Sequence, residues 1–294
     1  MKERKADKKS FVKTMLAASA VIGTSTLLFQ GAIQAATEGT IPKTNIVATK
    51  YDPSASERAP SAQNSLPSGY KKANYTIRTI NLEYYRNQAP TSKDMSREEA
   101  AEIGAQALWK IFNLNLQGQV IEMGYQQATE NLPRSSWYAD VVVNGKRSYS
   151  FTVDSVTGEL FNIGHERTLN KKVSVAFDKA LDKNPQEYEA LAKKLAEKHN
   201  VVQGKIKSAE YNGQGYSNND PTISLDVTGE KGDKALMTFS RHDKALLGIV
   251  YHPEYKYVLE SNEIFLKELQ DNEKAETSEK ANASANPDLT LKAK

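Results

Sequence analysis

Four histidines, His165, His199, His242 and His252, are the side chains of this 294-residue chain whose ordinary pKa lies near neutrality. None stands in an H-E-x-x-H arrangement, and His252-Pro253-Glu254 is too tight and too kinked to put two ligands on one helix face. His199 falls near the end of a predicted helix, where an imidazolium would complement the dipole. His242 sits in a predicted turn beside Asp243, while His165 and His252 follow predicted strands as ordinary surface residues. The chain has no cysteine, which excludes thiol catalysis, disulfides and Cys-containing zinc sites. No serine occupies a G-x-S-x-G elbow and no glycine-rich loop has phosphate-binding spacing. Asn218, Asn219 and Asp220 offer oxygens of the kind Ca²⁺ takes, but without the alternating spacing and distal Glu of an EF-hand. The residues therefore predict no enzyme: no catalytic residue, no metal site and no cofactor. A hydrolase assembled from scattered carboxylates stays as the remote reading.

What the chain offers instead is aromatic surface. The segment from Tyr211 to Pro221 reads as a Gly/Asn-rich loop between two strands, and it presents Tyr211 and Tyr216 as the candidate partner-binding residues. Tyr84, Tyr85, Tyr251, Tyr255 and Tyr257 are further exposed-aromatic candidates, whereas Trp109 and Trp137 are expected to pack.

The elements that must position these side chains follow from periodicity. Ser96 and Glu99 form a capping box, followed by Ile103, Gly104, Ala107, Leu108, Ile111 and Phe112 on one helical face. Asn184 as cap, Pro185 at the first helical position and Glu187 open a second helix carrying Tyr188, Leu191, Ala192, Leu195 and Ala196. After each helix the period shortens to two. Strands are predicted at 120–125, 137–143 and 148–153, then at 205–211, 222–227 and 235–239, with Asn144-Gly145 as a hairpin turn. Ser96 and Asn184 are 88 residues apart, and Asp154 and its counterpart Ser240 are 86 apart. The expected fold class is α+β: two small repeated domains, 75–165 and 166–253, each one helix on an antiparallel sheet of about four strands.

In the first repeat, the run from Tyr149 through Phe151, Val153-Asp154 and Thr157-Gly158 to Leu160–Ile163 resembles the PepSY domain, whose pattern is an aromatic-rich strand, a Val-Asp, a Thr-Gly turn and a closing strand. The second repeat keeps the layout but has Ser240 in place of the Asp and Asp243-Lys244 in place of Thr-Gly. The resemblance implies a non-catalytic module outside the membrane, of the kind found in propeptides and in regulators of proteases and cell-envelope enzymes. It transfers no catalytic residue.

Charge and ends indicate where such a protein works. Residues 1–36 carry six basic residues against two acids, so the formal +3 resides in the leader and the remainder is nearly neutral. No nucleic-acid partner is expected of such a chain. The basic start, the apolar run 15–29 and the small residues up to Ala35-Ala36 form a secretory signal peptide, with an uncleaved anchor as the alternative. Residues 37–74 read as a flexible linker, and 254–294 as an extension disordered from about 273. The expectation is a secreted or cell-wall-associated protein of a Gram-positive bacterium with no stable membrane span after cleavage. Its partner would be an extracellular protease or a wall enzyme, and the alternative is a structural module that binds peptidoglycan or another glycan.

Overall fold

Ser96 begins the first long helix as its sequence requires. In the computed structural model, which describes residues 66–129, 132–264 and 267, the Ser96 hydroxyl accepts from the Glu99 N–H while a Glu99 carboxylate oxygen accepts from the Ser96 N–H at 2.8 Å. Helix α2 (Arg97–Phe112) follows a four-residue helix α1 (Glu83–Arg86) and ends on Asn113 in the left-handed region. Four strands come next: β2 (Val120–Gln126), β3 (Ser136–Val143), β4 (Lys146–Asp154) and β5 (Leu160–His165), each antiparallel to the one before. Asn144 and Gly145, both at positive φ, make the β3–β4 turn. A short strand β1 (Thr76–Thr79) lies parallel to β2.

The second half repeats this order. A short helix α3 (Lys179–Lys183) precedes α4 (Gln186–His199), which also ends on a left-handed asparagine, Asn200. Strands β6 (Ile206–Ser217), β7 (Asp220–Gly229), β8 (Lys234–Ser240) and β9 (Leu246–Val250) form a second antiparallel meander. The entry to α4 differs from expectation. Pro185 holds the cap position without a side-chain bond, and the Asn184 amide donates back to the Ala180 carbonyl at 3.2 Å, because α3 ends there and claims it.

The two meanders are not separate sheets. Closing strands β5 and β9 pair antiparallel, giving one nine-stranded sheet in the order β1-β2-β3-β4-β5-β9-β8-β7-β6. The protein is thus a mixed α+β molecule with a large, mainly antiparallel sheet and few helices. One register row crosses it without a break: Met123, Ala139, Phe151, Ile163, Ile249, Met237, Leu225 and Tyr211 are successive partners. The first seven belong to one hydrophobic core on the helix-bearing face, together with Leu108, Ala192 and Ala196, and Tyr211 packs against it. The expected pair of independent cores is therefore replaced by one, because each meander's closing strand finds in the other its missing neighbour.

Residues 66–74, expected as linker, are built into the fold. The Tyr70 hydroxyl donates to Glu102 at 2.7 Å and the Trp109 indole to the Ser68 carbonyl at 3.2 Å. Residues 252–255 open a helix, and the continuing helical residues 256–264 belong to a separate unit, Lys256–Lys294. The predicted signal peptide, the linker as far as residue 65 and the tail from 273 lie outside the described residues. Among the described residues no helix is long and apolar enough to cross a membrane.

Candidate partner-binding surface

Tyr211 and Tyr216 do not flank a loop. β6 continues to Ser217, and only Asn218 and Asn219 turn the chain into β7, Asn218 at φ 53°. Five residues apart, the two tyrosines would point to opposite faces of a regular strand. Asn212 prevents this: it is bulged, since Tyr211 pairs with Leu225 and Gly213 with the adjacent Ser224. Both tyrosines thereby share the helix-bearing face, Tyr211 opposite Leu225 and Tyr216 opposite Pro221.

They are not equivalent there. Tyr211 is half-buried against the core, and its phenol is pushed up to about 12 chiefly by burial, with the Asp182 carboxylate adding to the rise. Tyr216 is 56% exposed. The chain joining the two halves lies alongside. The Gln214 side chain accepts from the Asp178 N–H at 3.0 Å and donates to the Asp178 carbonyl at 2.9 Å, while Arg241 donates to Gln214 and to the carbonyls of Val175 and Ala176. Pinned by its main chain, this strap turns Val175 and Phe177 outward, 38% and 46% exposed. The strap bonded to β6 thus carries two exposed large apolar side chains, and β6 itself carries the exposed Tyr216 two residues beyond Gln214.

The closing hairpins explain the departures in the second repeat. In the first, the Asp154 N–H donates to Glu159 O and the Gly158 N–H to Asp154 O; in the second, Ser240 N–H to Ala245 O and Lys244 N–H to Ser240 O, at 2.8–3.0 Å throughout. Lys244 takes the left-handed φ of Gly158. Asp154 accepts from Val156 and Thr157 N–H and holds Arg134 Nε at 2.6 Å. The second hairpin exchanges the roles: Asp220, two residues before the partner of Ser240, accepts from the Ser240 hydroxyl at 2.5 Å and holds Arg167 Nε at 2.6 Å. The buried acid has moved across to the neighbouring strand. Arg167 also clamps Asp243, holding that carboxyl well below its usual range.

Two of the three side chains considered for Ca²⁺ have their oxygens engaged within the chain. Asn219 accepts from the Leu169 N–H and Asp220 is committed to Ser240 and Arg167. Among the described residues no group of three or more His, Asp or Glu side chains could hold a metal ion. His199 is buried rather than an exposed imidazolium: desolvation, with Lys198 and Lys110 nearby, pulls its pKa down. His165 is also no plain surface residue, being stacked on Tyr149 with ring centroids 4.3 Å apart. Of the other aromatic candidates Tyr85 and Tyr255 are buried, Tyr255 bonded to Asp226, and Trp137 packs with its indole donating to Met95 O at 3.0 Å. Val175 and Phe177 were missed because an apolar pair in a polar connector carries no periodic signal.

No protein-family model and no curated protein matches the chain. Among solved structures it is similar to the Bacillus megaterium YpeB C-terminal domain, at 13% identity and a TM-score of 0.35, over 55% of this chain; it spans 65% of that one.

Proposed function

We propose that this chain is an exported, non-catalytic binding protein, built of two PepSY-like units fused through their closing strands. In this reading it restrains or assists an extracellular protease or a cell-envelope enzyme. The observation that carries the reading is the exposure of Tyr216, Val175 and Phe177, three large apolar or aromatic side chains on β6 and on the strap that Gln214 and Arg241 hold to it. The PepSY-like part is supported by the matching hairpins, which keep the same turn bonds at Asp154 and Ser240. Capture from culture medium and wall extract by the immobilised chain, with mass spectrometry of the bound fraction, tests it. A protease or wall enzyme should dominate, and the double variant Tyr216→Ala and Phe177→Ala should lower its recovery at least tenfold without loss of fold, since both side chains are exposed. Retention on purified peptidoglycan without a protein would favour the glycan-binding alternative. Hydrolysis of casein or peptidoglycan, abolished by one Asp, Glu or His substitution, would overturn the non-catalytic reading.

A further inference from the structure

The repeat makes β2 and β6 counterparts, but their outer edges differ. Val120, Ile121, Glu122 and Met123 pair with Val142, Val141, Asp140 and Ala139; Ser208, Ala209, Glu210 and Tyr211 pair with Thr228, Val227, Asp226 and Leu225. A shift of 86 carries the second partner in each of these sets from β3 onto β7, so Ser208–Tyr211 stands where Val120–Met123 stands. In the first half that edge is covered. β1 lies parallel to it with Thr76–Thr79 in register with Val120–Met123, the Thr76 N–H donating to Gln119 O and the Ile80 N–H to Met123 O, both at 2.9 Å. In the second half β6 ends the sheet, and no strand among the described residues pairs with its outer side.

We infer that the outer edge of Ser208–Tyr211 is a strand-addition site, filled by a short extended segment of the partner protein lying parallel to β6 as β1 lies on β2. This deepens the binding reading above and rests on it. Main-chain bonds along one strand alternate between its two neighbours. Gln119 and Met123 turn their carbonyls to β1, so Ile121 between them faces β1 as well; the corresponding residues Ala209 and Tyr211 present N–H and C=O to the side on which no described strand lies. Bulges bracket the slot, one at Lys207 between Ile206 and Ser208 and one at Asn212 between Tyr211 and Gly213. They limit regular pairing to about the four residues that β1 uses, and they oppose the long edge-to-edge pairing a second copy of β6 would need. Lys207 and Glu210, both exposed, guard the edge further. The occupant is thus a short β-forming segment of β1's type, with an apolar side chain at the position of Ile77. Ala209 is a smaller neighbour than Ile121 and favours a bulkier residue there.

A fluorescein-labelled peptide with this chain's own residues 74–80, Asn-Tyr-Thr-Ile-Arg-Thr-Ile, serves as the probe on the full mature chain. The peptide should bind saturably and slow amide exchange at Ala209 and Tyr211 at least tenfold. Ala209→Pro, which removes an outward N–H at an edge where proline is tolerated, should weaken binding at least tenfold with the far-UV circular dichroism retained. A peptide N-methylated at the residues matching Thr76 and Arg78 should lose binding equally, a result independent of how any variant folds. Undiminished binding of the methylated peptide, or no protection at Ala209 and Tyr211, would overturn the inference. So would a dimer in sedimentation that Ala209→Pro dissolves, which would assign the edge to a second copy. If Ala209→Pro still captures the same protease or wall enzyme, strand addition fails and the binding reading stands; if the unmodified chain captures neither, the binding reading itself fails.

Discussion

Lys244 shows at the scale of one residue how a turn outlives its motif. It sits at φ 61°, where Gly158 sits at 76° in the first repeat, and a side chain there costs about 1 kcal/mol. Its ammonium pairs with Glu187, but both groups are substantially exposed and such a pair contributes little. Lys244→Gly should therefore stabilise the protein by about 0.5 to 1 kcal/mol, read as a higher denaturation midpoint. His199 gives a second expectation. Its folded pKa is depressed by burial below the ordinary value of about 6.5, so protons bind the unfolded chain more strongly. Stability should be full above that value and fall as the pH drops through it. His199→Gln should show a smaller loss of Tm between pH 7.5 and 5 than the unaltered chain, and equal losses would assign the effect to other groups. The position of His199 near a helix end was legible in the sequence. Its burial was not, because that depends on what packs over the helix.

At the scale of elements, local chemistry and tertiary pairing divide the chain between them. Helix α2 starts on the capping box that Ser96 and Glu99 announce, and the β3–β4 turn falls on Asn144-Gly145. β6 goes the other way: Asn212, Gly213 and Gly215 read as loop, yet pairing along β7 carries the strand to Ser217 and absorbs Asn212 as a bulge. Tyr211 thereby becomes a partly buried core neighbour, which makes Tyr211→Ala a poor test of binding and Tyr216→Ala a good one. Gly104 is another case in which a neighbour decides. Alanine favours a helix over glycine by about 1 kcal/mol. A Cβ at Gly104, however, would lie 2.2 Å from the ring of Phe151, which is fully buried on β4. Gly104→Ala should therefore destabilise the protein by about 1 to 3 kcal/mol, measured by urea denaturation. A gain in stability would mean that the ring can move aside.

For the molecule as a whole, the shared sheet bears on how it unfolds. With two separate cores, a charge in one helix would unfold one half. Here the row from Met123 to Tyr211 runs through both halves and meets at Ile163 and Ile249, so the halves should melt together. Leu108, fully buried under α2, is worth about 1.5 to 3 kcal/mol in transfer alone. Leu108→Asp should lower a single cooperative transition seen alike by tryptophan fluorescence and far-UV circular dichroism, since both tryptophans lie in the first half and the circular dichroism reports on both. Two resolved transitions, with only the fluorescence shifted, would restore the picture of independent domains. The sequence by itself determined the α+β class, the repeat spacing, the capped helix and the inward alternation of the strands, because each depends on contacts within a few residues or on simple periodicity. Only the tertiary structure decided that β5 and β9 join, that Asp220 and Arg167 replace the lost aspartate, that a bulge brings Tyr211 and Tyr216 to one face, and that no described strand covers the outer side of β6. Those outcomes depend on which distant strand offers free main-chain groups and which side chain fills the space beside it, and no local pattern encodes either.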